Sequence, residues 1–160
     1  MVDEHPELPL DPDLPPSTPP HLTWSGVALV FAGGVAGTTC RYLVGVVVGG
    51  WGVWPAATFS VNLTGAFALG LLLSALGQRG PDVALPQRLR LLLGTGFMGA
   101  FTTYSTLAVE TSLLVRDGSA GVAVAYALAT VVPGFVASGA GIWLGGAHRK
   151  SGAQARYRRP

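Results

Sequence analysis

Four apolar stretches, separated by short clusters of turn-forming residues, fill the chain between two polar ends. A helix needs roughly 20 consecutive apolar residues to cross the hydrocarbon core of a bilayer. The pattern predicts a first span over about Ser25 to Val48, a second over Ala56 to Leu76, a third over Leu89 to Val115 and a fourth over Ala120 to Gly145. Gly49 to Pro55 (GGWGVWP) reads as a turn, with Trp51 and Trp54 placed as interfacial anchors. Gln78 to Arg88 reads as the longest inner loop, with two prolines, and Arg116-Asp117-Gly118 as a tight turn. Pro133 falls near the middle of the fourth span. Proline inside a soluble helix costs about 3 kcal/mol, but membrane helices tolerate it where neighbours satisfy the freed carbonyl. Small residues recur four apart at Gly33/Gly37, Gly45/Gly49, Ala66/Gly70 and Gly141/Gly145, a spacing that lets helix backbones approach closely. The expected fold class is all-α, an integral membrane domain of four helices over residues 25–147.

The third span departs from the pattern. Its centre reads GTGFMGAFTTYST, from Gly94 to Thr106, in which glycines precede five consecutive residues bearing hydroxyls. Each glycine weakens a helix by about 1 kcal/mol, and Ser and Thr side chains satisfy loose backbone groups. Non-helical backbone at membrane depth survives only where protein or a water-filled cavity surrounds it. A helix break is therefore expected near Gly99–Thr103, presenting carbonyls and hydroxyls to an ion. Gly94-x-Gly96-x-x-Gly99 also matches a dinucleotide-binding pattern letter for letter. That pattern is informative only after a strand in a soluble βαβ unit, so a nucleotide is rejected.

Composition sharpens the picture. Charged residues make up 11% of the chain against 49% hydrophobic, whereas soluble domains carry roughly 25% charged residues. The charges concentrate at the ends. Residues 1–24 hold five of the eight acids, and residues 148–160 hold five of the ten bases. Seven of the twelve prolines also lie before His21, so residues 1–24 are expected to form a disordered, acidic tail rather than a signal peptide. No basic face exists outside the C-terminal tail, which excludes a nucleic-acid binder. Cys40 is the only cysteine, so no internal disulfide forms. The histidines show no metal-ligand spacing, and no nucleophile–base pair stands out to suggest an enzyme.

Several polar residues sit inside the spans. Arg41 costs roughly 2.5–3.5 kcal/mol at a helix centre; it either snorkels to the interface or sets positive potential near an anion path. Thr58, Asn62 and Gly65 share one helical face. An amide offers two donors without charge, which suits an anion that must also leave; a helix–helix hydrogen bond is the equal alternative. Tyr126 and Thr130 are four apart on the fourth span. Glu110 closes the third span near the interface, where solvation or pairing is favoured over proton coupling.

These segments resemble the CrcB/Fluc family of fluoride channels across all four spans, though not the tails. Gly33-Gly34-x-x-Gly37-x-x-x-Arg41-Tyr42 is similar to the family's first-helix motif, Thr58 to Gly70 (TFSVNLTGAFALG) to its second-helix signature, and Gly94 to Thr106 to its GxxGGxTTFSTF break. The resemblance implies passive fluoride export by an antiparallel dimer in the plasma membrane. Asn62 would touch fluoride, with Thr58 on the same face and Arg41 nearby. Ser105, Thr106, Tyr126 and Thr130 would line the polar track. The carbonyls of Gly99 and Thr102 would hold a structural sodium ion at the dimer centre. The family's Phe-x-x-Phe pair is Tyr104 and Leu107 here, so Tyr104 keeps a positive ring edge for the anion and Leu107 does not. A small proton-coupled multidrug-type exporter is the alternative. It needs a membrane-buried carboxylate, which the first three-quarters of the spans lack.

Charge placement bears on the partner. Leaving out Arg41, eight Lys and Arg fall on the side of the two termini and one, Arg116, on the other. The positive-inside rule then puts both termini in the cytoplasm. A chain that inserts one way cannot supply its own inverted partner. A heterodimer with a homologous subunit of opposite bias is therefore expected, with a dual-topology homodimer as the alternative.

Overall fold

The computed structural model describes residues 23–77 and 84–157, with side chains placed up to Ala147 and not at Ala84. The expected acidic tail lies outside the described residues, apart from Thr23 and Trp24. The architecture is all-helical.

Helix α1 spans Trp24–Val48 and starts where the Thr23 hydroxyl accepts the Gly26 N–H at 3.1 Å, the side-chain cap that an N-terminal helical donor needs. After it, Trp51 and Trp54 pair through two backbone hydrogen bonds of 3.0 and 3.1 Å. Gly52 makes this turn possible at φ +62°, a conformation that a side chain disfavours. Helix α2 spans Ala56–Gly77. The short α3, Ala84–Leu89, occupies the end of the expected inner loop. Pro86 does not prevent it, because a first-turn residue has no intrahelical acceptor for its N–H.

A π-helical segment over Arg90–Met98 follows, which no feature of the sequence had suggested. Helix α4 is a single turn, Gly99–Phe101. The chain is extended at Thr102 (ψ 157°) and Thr103 (ψ 117°) before α5, Tyr104–Arg116, begins. The expected break thus falls within the expected residues. After a turn at Gly118 (φ +79°), α6 runs through Pro133 from Ala120 to Tyr157, well past the expected end near Gly145.

Among the described residues, three segments are long and apolar enough to cross a membrane: Trp24–Val48, Ala56–Gly77 and Ala120–Ala147. The fourth crossing is composite, built from α3, the π segment, α4 and α5 joined at the break. Phe31, Tyr42, Phe135 and Trp143 point outward, each about 70% exposed or more. Such a surface suits a hydrocarbon solvent or a partner subunit and not water.

Close backbone contact holds the bundle together. The most extensive pairing is α2 with α6, followed by α1 with the π segment. A methyl group at Gly33 would overlap the Leu92 carbonyl, and one at Gly37 the Phe97 carbonyl. Across the other seam, Gly70 faces the Ser138 carbonyl, Gly141 faces that of Phe67, and Gly145 meets Leu71 and Ser74. Three of the four small-residue pairs therefore include a close approach. Gly45/Gly49 does not, since neither has an atom within 4 Å of an added methyl. Gly96, within the glycine pattern that mimics a nucleotide motif, is buried against the Val30 carbonyl.

Candidate functional site

The break is held by side chains in place of the helix ladder. Thr103 caps α5: its hydroxyl accepts the Thr106 N–H at 3.1 Å and donates to the Thr106 hydroxyl at 2.9 Å. The Ser105 hydroxyl lies 3.3 Å from that of Thr103. On α2, Asn62 pairs its whole amide with the Thr103 backbone. Its Oδ1 accepts the Thr103 N–H at 2.8 Å, and its Nδ2 donates to the Thr103 carbonyl at 3.0 Å. Of the two roles open to Asn62 from its spacing, this geometry fills the helix–helix bond and leaves the second Nδ2 hydrogen over.

In a continuous helix the Thr103 N–H would bond Gly99 and the Thr106 N–H would bond Thr102, by the i to i−4 rule. Both donors are diverted, one to Asn62 and one to the Thr103 hydroxyl. The carbonyls of Gly99 and Thr102 are thereby released from the ladder, while Thr102 turns its own hydroxyl back to the Met98 carbonyl at 2.9 Å.

The half of the bundle nearer the Trp51–Trp54 turn carries a second polar cluster, centred on Glu110. Thr58 on α2 donates to Oε1 at 2.9 Å, and Tyr126 on α6 donates to Oε2 at 2.6 Å. Tyr126 is fully buried. Trp54 packs edge-on against its ring at 5.5 Å and against Phe59 at 6.1 Å. Trp51 stays exposed as an interfacial anchor would, whereas Trp54 turns inward. Its aromatic neighbours offer more burial than the interface does.

Between the two clusters lies a cavity of about 290 Å³, lined by Arg41, Thr58, Thr103, Thr106 and Glu110 among others. It gathers three of the candidate residues, Arg41, Thr58 and Thr106, with Thr103 of the break. Arg41 is half-buried and lines this space. The other candidates lie elsewhere. Tyr104 is 82% exposed on the surface of the bundle, with Ser105 exposed beside it. The Thr130 hydroxyl is buried and bonded to the Tyr126 carbonyl at 2.8 Å within its own helix. Leu107 is buried against Leu114, Ala123 and Tyr126 in the subunit's own core.

Sequence reasoning gave Thr103 no individual role and left Glu110 to solvation or pairing; pairing is what the geometry shows. A signal for Thr103 existed, since a threonine directly before a helix is a preferred cap. No local signal links Glu110 to Thr58, 52 residues away.

A profile described as "CrcB-like protein, Camphor Resistance (CrcB)" matches residues 28–142. Among curated proteins, one from Leifsonia xyli subsp. xyli named fluoride-specific ion channel FluC 2 is 44% identical over 131 residues, covering 82% of this chain and 90% of the relative. Similar proteins are a FluC 2 from Moorella thermoacetica, 43% identical over 72% of this chain and 89% of its own length, and a FluC from Phenylobacterium zucineum, 42% identical over 72% and 91%.

Proposed function

The chain belongs to the CrcB-like family of multi-pass membrane proteins, and from that premise we propose that it conducts fluoride passively out of the cytoplasm as one subunit of an antiparallel dimer. The observation that carries the reading is the Thr102–Thr103 break, where side chains take over backbone partners in mid-membrane beside a cavity lined by Arg41. A bare ion in hydrocarbon costs tens of kcal/mol. The break, the Arg41 charge and the free Asn62 hydrogen are the features able to lower that cost for an anion. Exit needs no pump, because a cytoplasm that is negative inside drives an anion outward by roughly 2.3 kcal/mol per charge per 100 mV.

In this reading Asn62, Thr58, Ser105, Thr106, Tyr126 and Thr130 serve the path, and Tyr104 presents its ring to a partner subunit. The released carbonyls of Gly99 and Thr102 fit a hard cation, since neutral oxygen donors suit sodium. These two residues would hold such an ion where two copies of the break meet, and it would offset the bundle's exposed carbonyl dipoles. The one-sided distribution of Lys and Arg favours cytoplasmic termini and a homologous, oppositely biased subunit as the partner. The exporter alternative needs a carboxylate free to exchange protons for a cation. Glu110 is the carboxylate available, and hydroxyls engage both of its oxygens.

The test is fluoride efflux from liposomes loaded with potassium fluoride, with the chain alone and with a homologue of opposite charge bias. Efflux that needs the homologue and is indifferent to a proton gradient supports the whole reading. Robust efflux from the chain alone returns it to a dual-topology homodimer. Efflux strictly coupled to protons, or none under either condition, overturns the channel.

A further inference from the structure

At the end of the bundle opposite Glu110, a second cavity of about 330 Å³ opens between the start of α1 and the end of α3, lined by Ser25, Ala28, Leu29 and Arg88. Its lining is mixed in chemistry: Ala28 and Leu29 supply hydrocarbon, whereas Arg88 and the Ser25 hydroxyl supply donors. Arg88 is exposed. The described residues contain two carboxylates, and both are engaged elsewhere: Glu110 with Thr58 and Tyr126, and Asp117 with the neighbouring Arg116 at 3.6 Å. A guanidinium at this end of the bundle therefore has no carboxylate among the described residues to neutralise it.

The surroundings fix the depth of the cavity in the membrane. Trp24, one turn before Ala28 on the same face of α1, is 89% exposed, and Leu85 on α3 is 63% exposed. An exposed indole at the end of the bundle that carries Arg88 marks the boundary between headgroups and acyl chains. An amphipathic cavity at that depth calls for an amphipathic occupant: an anion for the donors and hydrocarbon for the apolar lining.

We propose that this cavity binds an anionic phospholipid, with the phosphodiester on Arg88 and Ser25 and the first methylenes of an acyl chain against Ala28 and Leu29. The planar guanidinium matches two phosphate oxygens at once, and an arginine covers apolar surface with its aliphatic stem while its head stays in the polar layer. Basic pockets between membrane helices take acidic headgroups by this means. The site is separate from the fluoride path and does not depend on the channel reading.

The test uses the full-length protein in detergent, offered phosphatidylglycerol and phosphatidylcholine of identical acyl chains, with retained lipid read by native mass spectrometry. Phosphatidylglycerol should be retained about fivefold over phosphatidylcholine, the scale of one arginine near an acidic surface. Arg88→Gln should erase that preference, lowering phosphatidylglycerol retention more than that of phosphatidylcholine, whose choline cation already neutralises the phosphate that both lipids share. Three results would overturn the proposal: a preference that survives Arg88→Gln, equal retention of both lipids by the unaltered protein, or displacement of phosphatidylglycerol by millimolar glycerol phosphate, which would mark a site for free phosphate. Fluoride efflux is measured separately, so loss of lipid retention and loss of conduction are told apart.

Discussion

Helix α2 takes part in two seams that hold by different means. Against α6 it meets backbone with backbone: Gly70 under the Ser138 carbonyl and Gly141 under that of Phe67, with side chains removed so that the helices can touch. Against the break it meets backbone with side chain, as the Asn62 amide supplies what the helix ladder no longer provides at Thr103. Lipid is as apolar as the helices, so burying hydrocarbon gives little net drive to pack inside a membrane. The glycine seam gains dispersion contact and tolerates no added volume. The polar seam gains satisfied donors and acceptors, tolerates modest changes of shape, and is sensitive to chemistry. One seam is therefore expected to govern assembly and the other conduction.

Adding volume to the glycine seam should have the largest effect. Gly141→Leu places a side chain where a single methyl already overlaps the Phe67 carbonyl, at a cost of about 3 kcal/mol or more. Size-exclusion chromatography should show loss of the monodisperse species. A well-behaved peak with normal efflux would mean that the two backbones do not meet as described.

Changing chemistry without volume in the polar seam should spare assembly and stop conduction. Asn62→Asp keeps the acceptor for the Thr103 N–H but sets a carboxylate oxygen against the Thr103 carbonyl in place of a donor. The unsatisfied carbonyl costs about 1–3 kcal/mol, and the fixed negative charge opposes an anion nearby. Liposome efflux should fall at least tenfold while the protein elutes normally. Efflux at the unaltered rate would sink the role assigned to Asn62.

A smaller, graded effect is expected at Thr103. Thr103→Val removes the cap of α5 at nearly constant volume and should lower stability by about 1 kcal/mol, read as a lower thermal midpoint. Thr103→Ser keeps the hydroxyl and should recover most of the loss. Equal midpoints for the two variants would show that shape, and not the hydroxyl, matters there.

The least effect marks where the glycine seam ends. Gly139 lies two residues from Gly141, yet nothing comes within 4 Å of a methyl built on it. Gly139→Ala should therefore be neutral or stabilise by about 0.4–1 kcal/mol, through the unfolded chain. A destabilisation comparable to that of Gly141→Leu would show that the seam is wider than these contacts.

Four crossings and the break near Gly99–Thr103 were legible in the sequence because each rests on local composition. Apolar length sets a span, glycine weakens a helix, and hydroxyls next to glycine rescue loose backbone wherever the chain goes. The partners were not legible, because docking decides them over long separations. Asn62 reaches Thr103 across 41 residues and Thr58 reaches Glu110 across 52, and no periodicity encodes either pairing. Only packing told Gly141, which touches a neighbour, from Gly45, which does not, although both stand in the same four-residue spacing. It was packing too that turned Trp54 onto Tyr126 while Trp51 stayed outside. The sequence by itself determined which residues are able to leave the helix or approach closely; the tertiary structure decided which do, because a hydrogen bond or a backbone contact needs a second surface to meet.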